Sequence, residues 1–103
     1  MRLWQYRVPV GRAAEFAAAY GSDGPWTALF ARAAGYLGTE LYRDVRDVAG
    51  ATATGWVTVD RWTSRSDWDA FLAGWRADYD ALDSELEGIA DEEVELFAGD
   101  VEV

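Results

Sequence analysis

Between residues 68 and 89 the apolar residues Trp68, Phe71, Leu72, Trp75, Tyr79, Leu82, Leu86 and Ile89 recur at helical spacing, one stripe about six turns long. The opposite face carries Asp69, Arg76, Asp78, Asp80, Asp83, Glu85 and Glu87, so a single side of this helix is predicted to meet a core. Its start is marked by Ser64 and Asp67, which match the capping box that satisfies the first free backbone N–H groups of a helix. An apolar stripe of this length needs a partner layer, and the rest of the chain supplies one.

Leu3 to Val8 alternates as a strand, with Trp4, Tyr6 and Val8 on one face and Leu3, Gln5 and Arg7 on the other. Pro9-Val10-Gly11 breaks it. Arg12 to Tyr20 is Ala-rich, with Ala13, Phe16, Ala17 and Tyr20 at helical spacing. Pro25 suits the first position of a second helix, which turns Trp26, Leu29, Phe30 and Ala33 inward and ends near Gly35. Tyr36 to Val45 and Ala53 to Trp62 read as strands joined by a turn over residues 46–50, and a last strand centres on Val94-Glu95-Leu96-Phe97. The order β-α-(α)-β-β-α-β predicts an α+β domain of the ferredoxin-like, split-βαβ kind: a four-stranded antiparallel sheet with helices on one face. With no repeat or linker, residues 1–103 form a single domain.

The second face of the sheet is too apolar to be left in water. Leu3, Val57 and Val59 lie on it, and β-strand 36–45 mixes Leu37 and Leu41 with Tyr36 and Tyr42. A second copy of the chain is the expected cover, giving a two-fold homodimer. Arg7, Arg43 and Arg61 are expected on that side with Gln5 and Thr39, either binding an anion or satisfying Glu40 or Asp44.

Composition removes several chemistries. The chain has no Cys, His, Lys or Asn, so Cys nucleophiles, Ser-His-Asp triads, Schiff-base lysines and His- or Cys-ligated zinc or haem have no residues to work with. Nine Arg against 19 Asp and Glu leave a net charge of −10, which repels nucleic acids and anionic lipid. The acidic helix face and Asp91-Glu92-Glu93 lack the spacing of an EF-hand loop and read as a solvated surface, so no metal site is expected. No apolar run approaches the ~20 residues of a membrane span, and Met1-Arg2-Leu3 opens no signal peptide. The low Lys, Asn and Ile usage reads as a high-G+C bacterial gene, and a cytoplasmic protein is expected.

Four stretches carry a family resemblance: residues 4–12 (WQYRVPVGR), 35–41 (GYLGTEL), 57–64 (VTVDRWTS) and 67–71 (DWDAF). On these the chain resembles the antibiotic biosynthesis monooxygenase domain family, within the dimeric α+β barrel superfamily. The family ranges from cofactor-free oxygenases through haem-degrading enzymes to proteins with no assigned activity, so the fold does not by itself select a chemistry. The haem-degrading branch uses a helix His, a first-strand Asn and a Trp at the end of the third strand. Here Trp62 matches, Trp4 stands at the Asn position and no His exists, so that mechanism lacks its iron ligand.

The cofactor-free branch oxidises electron-rich polyketide-derived phenols in a pocket between sheet and helices of each subunit. The resemblance thus implies a cofactor-independent monooxygenase acting on an aromatic small molecule, with no cofactor. Such a reaction needs a proton acceptor, donors that hold the resulting anion, and a dry site. Asp60 is the candidate acceptor, because alternation from Trp62 puts it on the helix-facing side, where burial raises a carboxyl pKa. A solvated strand end, or pairing with Arg61 or Arg7, is the structural alternative. Tyr6 is the candidate phenolate partner, and Trp62 and Trp4 are candidate pocket walls. Trp26, Phe30, Phe71, Trp75 and Tyr79 are further candidates for lining the pocket, Trp75 and Tyr79 foremost; ordinary aromatic core packing is the structural alternative for all of these. Two other functions stay open: a non-catalytic protein sheltering an aromatic ligand, and a plain dimerisation module.

Overall fold

The computed structural model describes residues 1–46 and 48–102. Strand β1 (Arg2–Pro9) leads through a 3-10 turn (Val10–Arg12) into helices α1 (Ala13–Tyr20) and α2 (Pro25–Phe30). Strands β2 (Tyr36–Arg43) and β3 (Ala53–Trp62), helix α3 (Arg65–Glu85) and strand β4 (Glu92–Ala98) follow. The sheet is antiparallel throughout, in the order β2-β3-β1-β4, an α+β topology compatible with the ferredoxin-like arrangement. In the connection between β2 and β3, Asp47 lies outside the described residues; beyond it Ala51 N–H donates to the Val48 carbonyl at 3.1 Å, closing a turn at Gly50.

The sequence signals act where they were read. Ser64 caps α3, its side chain accepting from the Asp67 N–H at 3.3 Å. The helix runs 21 residues to Glu85, and the end of the stripe, Leu86 and Ile89, continues past it: Ile89 is 4% exposed on non-helical backbone. Within α3 the helical path breaks at Trp75, which leaves the helical φ/ψ region. Helix α2 is shorter than its apolar spacing predicts. It stops at Phe30, and Ala33 packs against the core from the turn beyond.

All the helices pack on one face of the sheet, over Tyr6 and Val8 of β1 and Trp56, Thr58, Asp60 and Trp62 of β3. Phe16, Phe71 and Val8 are the most completely buried side chains. The rings pack as tilted and edge-on pairs, for example Phe30 and Phe71 at 5.3 Å and 82°, an arrangement aromatic quadrupoles favour.

A register shift in β2 corrects one expectation. Tyr36 lies opposite Trp62 but Gly38 lies opposite Arg61, so Leu37 forms a bulge and alternation restarts after it. Gly38 adopts φ +135°, a conformation only glycine takes easily. As a result Thr39, Leu41 and Arg43 lie opposite Asp60, Thr58 and Trp56 on the helix-facing register, and Thr39 and Arg43 are not on the outer face where simple alternation puts them. The outer face keeps Gln5, Arg7, Tyr42, Val57, Val59 and Arg61. Arg61 is paired there with Glu40 of the same chain at 2.7 Å, so that cation is satisfied internally.

Candidate functional site

Asp60 is the centre of the site. It is 8% exposed, lies two residues before the end of β3 at Trp62, and faces the helices. Neither expected partner reaches it, since Arg61 is turned to Glu40 on the opposite face. Instead Thr39 donates its hydroxyl to Asp60 Oδ1 at 2.7 Å. Thr39 has a single hydroxyl proton, so the 2.7 Å contact between Thr39 Oγ1 and Tyr36 is donated by the Tyr36 hydroxyl. A directed chain, Tyr36 to Thr39 to Asp60, therefore ends on one carboxylate oxygen.

Burial dominates the electrostatics here. Loss of water pushes the Asp60 carboxyl up to about 6, against the opposing pull of the Thr39 bond, of Arg2 and of the amino terminus. A carboxyl tuned to that range is suited to accept and release protons near neutrality. Tyr6 is 6% exposed and its phenol is driven far above its ordinary value, mainly by burial, so it stays a neutral O–H group. Thr58 Oγ1 approaches the Tyr6 oxygen at a long 3.5 Å, which leaves the phenol free for a stronger partner. Tyr20 is pushed up to about 12 for the same reason.

Asp60, Tyr6, Trp4, Trp26, Phe30 and Tyr79 all line one cavity between sheet and helices, so six of the sequence-predicted residues come together. Trp26 and Tyr79 meet at a tilt of 59° with ring centres 5.1 Å apart. The cavity volume is 40 Å³, room for a few waters or a diatomic molecule. The exposed Asp83 and Glu93 also border it.

Three sequence-predicted residues lie elsewhere. Phe71 is 2% exposed and sealed among Phe30, Trp62, Trp68 and Tyr79, where it fills the core. Trp75 sits half-buried at the break in α3, with the Arg32 guanidinium 5.5 Å from its ring centre. Trp62 does not border the Asp60 cavity; it lines a separate cleft of 480 Å³ together with Arg2, Trp68 and Glu95. Trp68 is the wall common to both spaces.

Sequence reasoning missed Thr39, Tyr36 and Arg2. The first two depend on the β2 bulge, whose only trace in the sequence is Gly38. Arg2 lies opposite Asp60 on β1, its guanidinium 4.2 Å from the ring centre of Trp68 and paired with Glu95. Alternation back from Trp4 places Arg2 on the helix-facing side, a position where a charged residue reads against the pattern. Among the described residues, no three acidic side chains gather closely enough to hold a metal ion, and no helix is long and apolar enough to cross a membrane.

Comparison with protein-family models, with curated proteins and with solved structures finds no match to this chain. The case for function therefore rests on the site itself.

Proposed function

We propose that the protein is a homodimeric, cofactor-independent monooxygenase of the antibiotic biosynthesis type, removing a proton from an acidic aromatic molecule at Asp60 and passing the resulting anion to dioxygen. The observation that carries this reading is a buried carboxyl with a value near 6, held through one oxygen by Thr39 in an aromatic-lined cavity. For a substrate with a reactive CH2 flanked by phenolic rings, the overall change is R2CH2 + O2 → R2C=O + H2O.

In this scheme Asp60 takes the first proton from the CH2 carbon. The carbanion, delocalised onto the ring oxygens, transfers one electron to dioxygen, and the radical pair closes a C–O bond to give a peroxide. Asp60 returns its proton to the distal oxygen, the second C–H proton is lost, the O–O bond breaks, and water leaves the ketone. Tyr6, kept neutral, donates a hydrogen bond to the substrate oxyanion. The Tyr36–Thr39 chain fixes the Asp60 carboxylate so that reprotonation happens at its other oxygen. Trp4, Trp26, Phe30 and Tyr79 exclude water, which protects the radical pair. A polycyclic ring exceeds 40 Å³, so its entry requires displacement of the walls, and the break in α3 at Trp75, four residues before Tyr79, gives that helix a place to yield.

The dimer is supported by the uncovered outer face of the sheet. Tyr42, Val94 and Phe97 are each just over half exposed there, beside Val57 and Leu3, with no helix above them. A two-fold contact between two such faces places like strands against like and closes without leaving a free surface to propagate.

The small cavity favours a second reading, in which the same scaffold is a non-catalytic dimer that binds an aromatic ligand or none. Oxygen uptake separates the two. With a dihydroxyanthracene-type substrate, the wild-type protein consumes one O2 per ketone formed, and Asp60→Asn loses about 10²-fold or more in rate. Saturable change in Trp fluorescence without oxygen uptake identifies a binder, and neither response leaves the dimerisation module.

A further inference from the structure

The 480 Å³ cleft beside Trp62 has the volume of a small-molecule site and an unusual balance of hydrogen-bonding groups. Its carboxylates are already engaged. Glu95 pairs with Arg2, Asp69 lies 3.8 Å from Arg65, and Asp100 Oδ1 accepts from the Arg65 backbone N–H at 2.7 Å. Its donors are not. The buried Arg2 Nε and Trp62 Nε1 atoms have no hydrogen-bond partner among the described residues, and Trp62 as a whole is only 5% exposed. Beside them the Trp62 and Trp68 rings pack edge to face, with centres 5.4 Å apart and planes at 74°.

We propose that this cleft binds a planar aromatic carboxylate, whose ring lies against Trp62 and Trp68 and whose carboxylate takes the place of Glu95 on the Arg2 guanidinium. The chain itself displays the recognition chemistry. Arg2 is stacked on an indole at 4.2 Å with the Glu95 carboxylate against one terminal nitrogen only, which leaves part of the planar guanidinium's donor set for an incoming anion. Glu95 is an internal competitor suited to being displaced. It stands on edge strand β4, no residue of which is buried, and its side chain is 33% exposed. The pair is partly buried, with Arg2 at 20% and Glu95 at 33% side-chain exposure, so a ligand carboxylate that replaces Glu95 keeps the Arg2 charge paired. The proposal needs no proton transfer at Asp60 and stands apart from the oxygenase reading.

The experiment is calorimetric titration of the full chain with 2-naphthoate and with 2-naphthamide, which share a ring system and differ in charge. Naphthoate is expected to bind saturably, and naphthamide at least about tenfold more weakly. Glu95→Gln, which removes the competitor, tightens naphthoate binding by about threefold or more. Arg2→Lys, which keeps the charge but loses the planar fork, weakens it by about tenfold. Thermal melts of each variant establish that it is folded before titration. Equal affinity for the two probes, an unchanged affinity in Glu95→Gln, or no saturable naphthoate binding by the folded wild type overturns the proposal. None of these readouts involves oxygen, so their failure leaves the Asp60 test untouched, and the converse holds too.

Discussion

Thr39 and Asp60 stand directly opposite one another on β2 and β3, and among the described residues the Thr39 hydroxyl makes the one side-chain hydrogen bond that reaches the Asp60 carboxylate, at 2.7 Å. It stabilises the ionised form against burial, which pulls the other way. Replacing Thr39 by Val removes the donor while keeping the shape. The Asp60 titration midpoint, followed by NMR of its side-chain carboxyl carbon, is expected to rise by about one unit, as loss of a charge-assisted hydrogen bond requires. Thr39→Ser keeps the midpoint where it is. A midpoint that stays put in Thr39→Val means the bond does not set the acidity of Asp60.

Asp60 also makes stability depend on pH. Its carboxyl holds a proton up to about 6 in the fold but only to about 3.8 in the unfolded chain. Between those values the native state binds more protons than the unfolded state, so this contribution is fully present below about pH 3.8 and is lost as pH rises through 6. By pH 8 the buried charge costs on the order of 3 kcal/mol. Asp60→Asn is therefore expected to be more stable than wild type at pH 8 by about that amount, with a flatter profile from pH 4 to 7. Urea unfolding at several pH values checks it. Glu93, whose carboxyl is also raised by partial loss of water, leaves a residual slope in both proteins.

Gly38 holds the bulge that delivers Thr39. A Cβ there would meet nothing within 4 Å, so the cost of Gly38→Ala is conformational and comes from φ +135°. About 1–3 kcal/mol is expected, or a fall in Tm of several degrees. Gly11→Ala, equally free of neighbours but without a positive φ, serves as the control and shifts Tm by little. Differential scanning calorimetry of both variants distinguishes strain from a general intolerance of alanine.

Phe97 lies opposite Leu3 on the uncovered side of the sheet and is 53% exposed. In a homodimer packed through that face, Phe97→Asp introduces paired like charges across the two-fold axis and drives the protein to monomer. Sedimentation velocity reads the change directly. A wild-type protein that sediments as an 11.4 kDa species at all concentrations removes the dimer from the proposal.

The parts of the molecule legible from sequence are those governed by local periodicity. β3 runs from Ala53 to Trp62 as alternation predicts, and Ser64 and Asp67 open α3 because capping involves neighbours only three residues apart. Asp60 could be placed on the buried side because β3 contains no irregularity. Thr39 could not, because one extra residue at Leu37 reverses every side chain after it, and no pattern of apolar residues in β2 is strong enough to announce the shift. The position of Trp62 shows a further limit. Alternation put it on the correct face, yet which of two neighbouring spaces it borders is decided by how Trp68, Phe30 and Phe71 pack around it. Volume left between interlocking rings is a property of the whole core.

The last strand has a further consequence. β4 is hydrogen-bonded to β1 alone, carries no buried residue, and supplies both Glu93 at the rim of the small cavity and Glu95 on Arg2. Fraying of those seven residues would unlatch both spaces in one movement, leaving the remaining three strands and their helices intact. The C-terminal stretch would then act less as a wall than as a hinged shutter, with its amide protons the first in the sheet to exchange with heavy water.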